Sequence, residues 1–149
     1  WYKNGNPIPG ATGGFLTVNA PLSDNGAVFH VVATNSVGAT PSNPAVLTVI
    51  PDTEPPSIRL ARVLEGGAQV KVRFDEDVES ASASNTSHYN LGAGITVTGA
   101  SLSSAREVIL AVTGLYDGWN GQLHADGVRD LAATPNAASA TAPLTYDSR

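Results

Sequence analysis

The chain has no cysteine and no methionine among its 149 residues. Without thiols there is no disulfide to staple a small fold and no thiolate to hold a metal. Charge is scarce too: Asp, Glu, Lys and Arg make up 14%, the formal net charge is -5, and no basic cluster stands in the sequence. Such a chain is expected to bind neither nucleic acid nor an anionic membrane surface. No apolar run is long enough to cross a bilayer, so no membrane insertion is expected. His30, His88 and His124 lack the His-x-His or His-x-x-x-His spacing of metal ligands and read as ordinary histidines. No serine sits in a Gly-x-Ser-x-Gly elbow, and the glycines fall in turns rather than phosphate-binding loops. With no nucleophile, acid–base pair or cofactor motif to name, the chain is expected not to be an enzyme.

What the sequence does have is 15 Gly, 10 Pro and a hydrophobic fraction of 42%. That mixture favours short strands joined by tight turns and suffices for an apolar core. In the first part, "WYKNG" reads as a strand entering a turn. "GGFLTVNA" reads as a strand alternating from Phe15, "AVFHVVATN" as a third, and "NPAVLTVI" as a fourth with Leu47 and Val49 on one face. Asn4-Gly5, Pro9-Gly10, Asp24-Asn25-Gly26 and Val37-Gly38 supply the turns.

Residues 49–58, "VIPDTEPPSI", carry three prolines within positions 51–56. Proline-dense chain resists helix and central strand and stays extended, so 51–56 reads as a linker between two modules. Beyond it, "SIRLARV" and "AQVKVRF" form a hairpin around Glu65-Gly66-Gly67. Its alternation turns Val70, Val72 and Phe74 inward and Gln69, Lys71 and Arg73 outward. "GITVTGA" and "REVILAVTGL" follow, the latter with Val108, Leu110 and Val112 on one face; "GQLHADGV" and "APLTY" are weaker strands. Only "ESASASNTSHYN" suits a short helical turn. The whole argues for antiparallel β-sandwiches.

Two stretches invite chemistry. "FDEDVE" puts Asp75, Glu76, Asp77 and Glu79 within five residues, Asp75 and Asp77 projecting to one side and Glu76 to the other. With Asp52, Glu54 and Asp130 near the same end, Asp75 and Asp77 would make an oxygen-rich calcium site; the alternative is a solvated strand end, and no EF-hand spacing is present. "LYDGWNG" sets Tyr116 and Trp119 in a Gly-rich loop, where exposed aromatics stack on sugar rings. The alternative is that Trp119 folds back and plugs the end of the sandwich, as isolated large aromatics usually do.

Residues 1–50 resemble a cysteine-free immunoglobulin-like domain of the I-set type, from strand C to strand G. Trp1 stands where strand C carries its buried Trp, Asp24 and Gly26 at the E–F corner, Phe29 at the corner tyrosine, and Val31 at the second cysteine. Ala33, Asn35 and Gly38 match the run that closes strand F. The resemblance implies an N-terminally incomplete domain whose first strands are severed upstream or supplied by another chain, and a chain that starts at Trp1 without Met reads as a piece of something larger. Residues 57–149 resemble the bacterial Ig-like or fibronectin-III-like modules of large surface proteins and polysaccharide-active enzymes. Phe74, Glu76, Val78, Ala83, Asn85, Tyr89, Val128 and Asp130 fill the pattern, while Ala133-Thr134-Pro135-Asn136 replaces its closing Gly-Asn.

The resemblance implies an all-β chain of two tandem Ig-like sandwiches, extracellular or at a bacterial cell surface, a setting that a cysteine-free, Ser/Thr/Gly/Ala-rich composition also suits. Its implied role is a non-catalytic spacer or scaffold whose partners are neighbouring domains of the same protein or copies of itself. A carbohydrate-binding accessory module of a polysaccharide-active enzyme, binding through Tyr116 and Trp119, and a self-assembling surface or filament subunit using strand complementation, are the alternatives. No cofactor is expected, calcium being the one alternative.

Overall fold

The computed structural model describes residues 1–147, and the chain divides between Pro51 and Asp52 into two units. Both are built of antiparallel strands with almost no helix, the all-β fold expected from the turn-rich composition.

In the first unit, β1 (Tyr2–Lys3) and β2 (Asn6–Pro7) flank Asn4 and Gly5, whose φ values of 50° and 81° give the doubly left-handed turn that tight hairpins need. β3 (Val28–His30) pairs with β1 and with β6 (Ala45–Val46), giving the order β2-β1-β3-β6. β4 (Val32–Thr34) and β5 (Ala39–Pro41) form a separate hairpin. Its turn is built by Asn35, whose Oδ1 accepts from the amides of Val37 (2.8 Å) and Gly38 (3.0 Å).

The single strand expected over 27–35 is therefore two. The register slips at Ser42, whose hydroxyl accepts from the Val31 amide (3.1 Å) and whose own amide donates to the Val31 carbonyl (2.8 Å). The strand expected over 13–20 does not form. That stretch finds no neighbouring ladder to satisfy its backbone, and Phe15 is 84% exposed. Trp1 is half-buried rather than an interior plug; its indole N–H donates to the Gly13 carbonyl at 2.9 Å in an exposed bond. Phe29 and Val31 are half-buried too, and Ala27 is the one buried residue of the unit. Among its Lys, Arg, Asp and Glu the unit has only Lys3 and Asp24, which pair at 2.5 Å.

The second unit is a two-layer sandwich. β7 (Ile58–Val63) and β8 (Gln69–Phe74) make the expected hairpin. α1 (Ser80–Ala83) and a 3-10 turn (Thr86–His88) lead to β9 (Tyr89–Asn90). Then come β10 (Thr96–Ser104), β11 (Glu107–Thr113), β12 (Asn120–Arg129) and β13 (Ala137–Thr145). One sheet runs β10-β11-β8-β7, the other β13-β12-β9. Alternation carries the inner faces: Val70, Val72 and Phe74 meet Val108, Leu110 and Val112 on one sheet, facing Leu123, Ala125, Val128 and Leu144 from the other, all at most 4% exposed.

The segment between β8 and β9 closes one side of this core. Asn85 caps its turn by accepting from the Ser87 amide and hydroxyl at 3.1 and 2.8 Å. Buried Tyr89 donates its hydroxyl to the Ala83 carbonyl at 2.8 Å, and burial pushes the phenol's pKa up. This is the kind of bond, from a Tyr back to a backbone carbonyl upstream, that pins corners in β-sandwiches. The expected corner position in the first unit, Phe29, has no hydroxyl to make one. Tyr89→Phe leaves the Ala83 carbonyl buried and unpaired, and is expected to cost about 1–3 kcal/mol. Urea unfolding measures it; an unchanged midpoint would show that the bond contributes nothing.

Candidate functional site

One end of the second unit collects carboxylates. The chain leaves β8 as Asp75-Glu76-Asp77, and the alternation of extended backbone sends neighbours to opposite sides. Asp75 turns to Ser57, accepting from its amide at 2.8 Å and from its hydroxyl at 2.5 Å. Burial alone would raise the Asp75 pKa, but these hydrogen bonds and the nearby Arg59 hold it below the usual value. Asp77 pairs with Arg106 Nε at 2.6 Å, and Arg106 Nη1 donates to the Asp75 carbonyl at 3.0 Å. Glu76 goes the other way and joins Asp52 and Asp130, ligand atoms of the three lying within 4.8 Å of one another.

Asp130 is the organiser of this end. It is 1% exposed and sits where β12 stops, its backbone bridged to Val78. Its Oδ1 accepts from the amides of Ala132 (3.1 Å) and Asn136 (2.9 Å), and its Oδ2 from Asn136 Nδ2 (2.8 Å). Burial raises the pKa of such a group, yet the hydrogen bonds, led by the Asn136 side chain, outweigh it and hold Asp130 below the ordinary carboxylate range. Asn136 also donates to the Asp52 carbonyl at 3.3 Å.

Of the five residues expected to form a calcium site, the fold brings only Asp52 and Asp130 together. Asp75 and Asp77 face away, each with its own partner. Glu54 approaches through its backbone amide, which donates to Asp52 Oδ1 at 3.1 Å. Glu76 takes the third place. The donor set is hard oxygen, as calcium requires, but calcium takes six to eight oxygens. Three N–H donors already occupy the Asp130 carboxylate, leaving it about one of its four lone-pair sites. The geometry describes an anion that ties down the 130–136 loop. Asn136 was invisible in the sequence as its partner; Glu76 was legible only through the pleat, as the member of its run facing away from Asp75 and Asp77.

At the other end, the loop after β11 presents Tyr116 and buries Trp119, so Trp119 folds back as the plugging alternative expects and is not displayed beside Tyr116 for stacking on a sugar. Tyr116 is 64% exposed and Trp119 only 7%. The indole lies over Gly121, where a Cβ would stand 2.5 Å from Cζ2. The Trp119 carbonyl accepts from the Tyr146 amide at 2.9 Å, tying the loop to the end of β13. The ring closes the apolar core, which burial favours over display. Two of the histidines make contacts within the fold. His88 Nδ1 meets the Ser82 carbonyl at 2.9 Å and Nε2 meets Asn85 Nδ2 at 3.3 Å, both satisfied by the Nδ1–H tautomer. His30 stacks on Tyr2 with centroids 4.7 Å apart, and His124 is exposed on β12.

No family model matches this chain, and no curated protein matches it. Among solved structures, the N-terminal part of the bacterial S-layer protein SbsC matches with a TM-score of 0.51 at 17% identity, over 62% of this chain and 23% of that one. The S-layer protein rSbsC(31-844) matches with a TM-score of 0.52 at 17% identity, over 62% of this chain and 14% of that one. The matched part thus spans less than a quarter of either S-layer chain. At this identity the likeness is one of fold.

Two outcomes follow from the geometry. Glu76 has its pKa raised above 4.5, first by burial and then by Asp130, Asp52 and Asp75. A carboxyl with a raised folded pKa loses stability as pH rises through that pKa, because its ionised form is disfavoured by folding. Glu76→Gln is therefore expected to stabilise the protein at pH 7 by about 0.2–1 kcal/mol, a surface-scale effect. The gain should vanish below the ordinary Glu value, 4.5; melts across pH measure it, and destabilisation at pH 7 would contradict the repulsion. Trp119→Ala should cost about 3–5 kcal/mol of stability. Denaturant unfolding tests this, and a folded variant with an unmoved midpoint would place the ring outside the core.

Proposed function

We propose that the chain is a non-catalytic structural portion of a bacterial cell-surface protein, its second unit serving as a sandwich spacer. The observation that carries this reading is that the side chains able to do chemistry hold the fold instead. Asp130 binds its loop, Asp75 and Asp77 bind Ser57 and Arg106, Tyr89 binds Ala83, and His88 binds Ser82. No buried side-chain N or O among the described residues lacks a partner. A site poised for a substrate usually keeps such groups available. The likeness in fold to S-layer protein SbsC supports the surface setting by analogy, as does a cysteine-free β-rich chain. The immunoglobulin-like or fibronectin-III-like character of the two units belongs to the same proposal. Carbohydrate binding is the weaker reading, because Trp119, the ring expected to stack with Tyr116, is buried.

Limited proteolysis of intact cells tests the setting. Peptides of this chain are expected in the supernatant of protease-treated intact cells. Recovery only from the soluble interior after lysis would overturn the reading.

A further inference from the structure

The sequence has no basic cluster, yet folding makes one. Val70, Val72 and Phe74 point into the core, so Lys71 and Arg73 point outward. Across the β7–β8 ladder, Arg62 stands directly opposite Lys71, and Leu60 opposite Arg73. Three cations thus share one outer sheet face. Like charges directly opposite on a ladder repel, and sequences generally avoid them. Glu107 pairs with Lys71 at 2.8 Å, accepts from the Ser103 hydroxyl at 2.7 Å and stands opposite Arg73 across the β8–β11 ladder, so one carboxylate serves two of the three cations. Arg62 and Arg73 are exposed and make no ion pair among the described residues.

The acidic end has the opposite imbalance. Arg106 is committed to Asp77, and Asp130 to its loop donors, which leaves exposed Asp52 and half-exposed Glu76 together with no ion pair of their own among the described residues, Arg106 offsetting only part of the Glu76 charge. We infer that the Arg62–Lys71–Arg73 face docks on the Asp52–Glu76 end of a second copy of this chain. Complementary charge chooses this occupant. Two guanidinium groups can each take a carboxylate in a two-bond fork, a geometry that a compact carboxylate cluster offers. An extended polyanion would want a longer cationic track than three side chains interrupted by Glu107. The pKa of Glu76 is raised because burial and then its acidic neighbours outweigh the nearby Arg106.

The two patches differ, so the contact is heterologous and grows head to tail unless it closes into a ring. This deepens the structural-module reading and rests on it, giving the module a partner.

Sedimentation velocity on the full chain decides the matter. At about 0.05 M salt the sedimentation coefficient is expected to rise with protein concentration, and at about 0.5 M salt, where screening is far shorter-ranged, to stay at the monomer value. The double variant Arg62→Gln, Arg73→Gln and the double variant Asp52→Asn, Glu76→Gln should each weaken association at least tenfold alone. Mixed, they should form a one-to-one complex and nothing larger, since each retains one patch. Arg62→Lys with Arg73→Lys should still associate, which guards against a misfolded glutamine variant.

A wild-type chain that stays monomeric at low salt overturns the inference. So does association that survives the arginine-to-glutamine changes, or a monomer that instead binds polyglutamate through these arginines. A monomer whose peptides are still released from intact cells would sink this inference and leave the surface reading standing. Association by a chain confined to the cell interior would sink the surface reading alone.

Discussion

With no disulfide to bridge them, the sheets of the second unit are held by apolar contact between their inner faces. Val72, Phe74, Val108 and Leu110 from one sheet face Leu123, Val128 and Leu144 from the other, each at most 2% exposed. Each large aliphatic or aromatic side chain so buried contributes about 1.5–3 kcal/mol. Trp119 and Tyr89 pack into the same core. The first unit shows what happens without such contact. Its strands pair, its turns are well made, and its one ion pair forms, yet only Ala27 is buried while Phe15, Val37 and Ile50 are each more than 80% exposed.

The polar chemistry of the second unit is concentrated where the strands end. There the backbone leaves its ladders and needs other partners. Asp130 satisfies two amides of the 130–136 loop, Asn85 two groups of Ser87, and the Ser82 hydroxyl accepts from the Arg129 amide at 2.9 Å. These residues look like functional candidates because Asp, Asn, Ser and His are also the residues of active sites. Here they replace the hydrogen bonds that the sheets cannot supply.

Much of the second unit was legible from alternation. β8 announces itself because Val70, Val72 and Phe74 alternate with polar residues over six positions, and β11 because Val108, Leu110 and Val112 recur at period two. β13 was readable only near its end. Its first half, Ala137-Ala138-Ser139-Ala140, offers side chains too small to mark inside from outside, though Ala138 is buried. In the first unit the reading of 13–20 as strand failed because alternation shows that a segment can pair, not that a partner exists. The fate of Trp119 rested on the same gap, since a loop aromatic can be displayed or buried and only its neighbours decide. The carboxylates were seen as a group, but which of them meet depended on where β12 stops.

By itself the sequence determined the all-β class, the turn positions, the proline-rich break near residue 51 and the inward faces of the best strands. These follow from backbone sterics and period-two burial, which act between residues near in the chain. Tertiary structure alone decided that Glu76 rather than Asp75 or Asp77 meets Asp52 and Asp130, that Asn136 hydrogen-bonds a buried carboxylate, and that Arg62 stands against Lys71. The reason is strand register: pairing sets side by side residues that lie far apart in the chain, and charge and hydrogen bonding act on that separation in space.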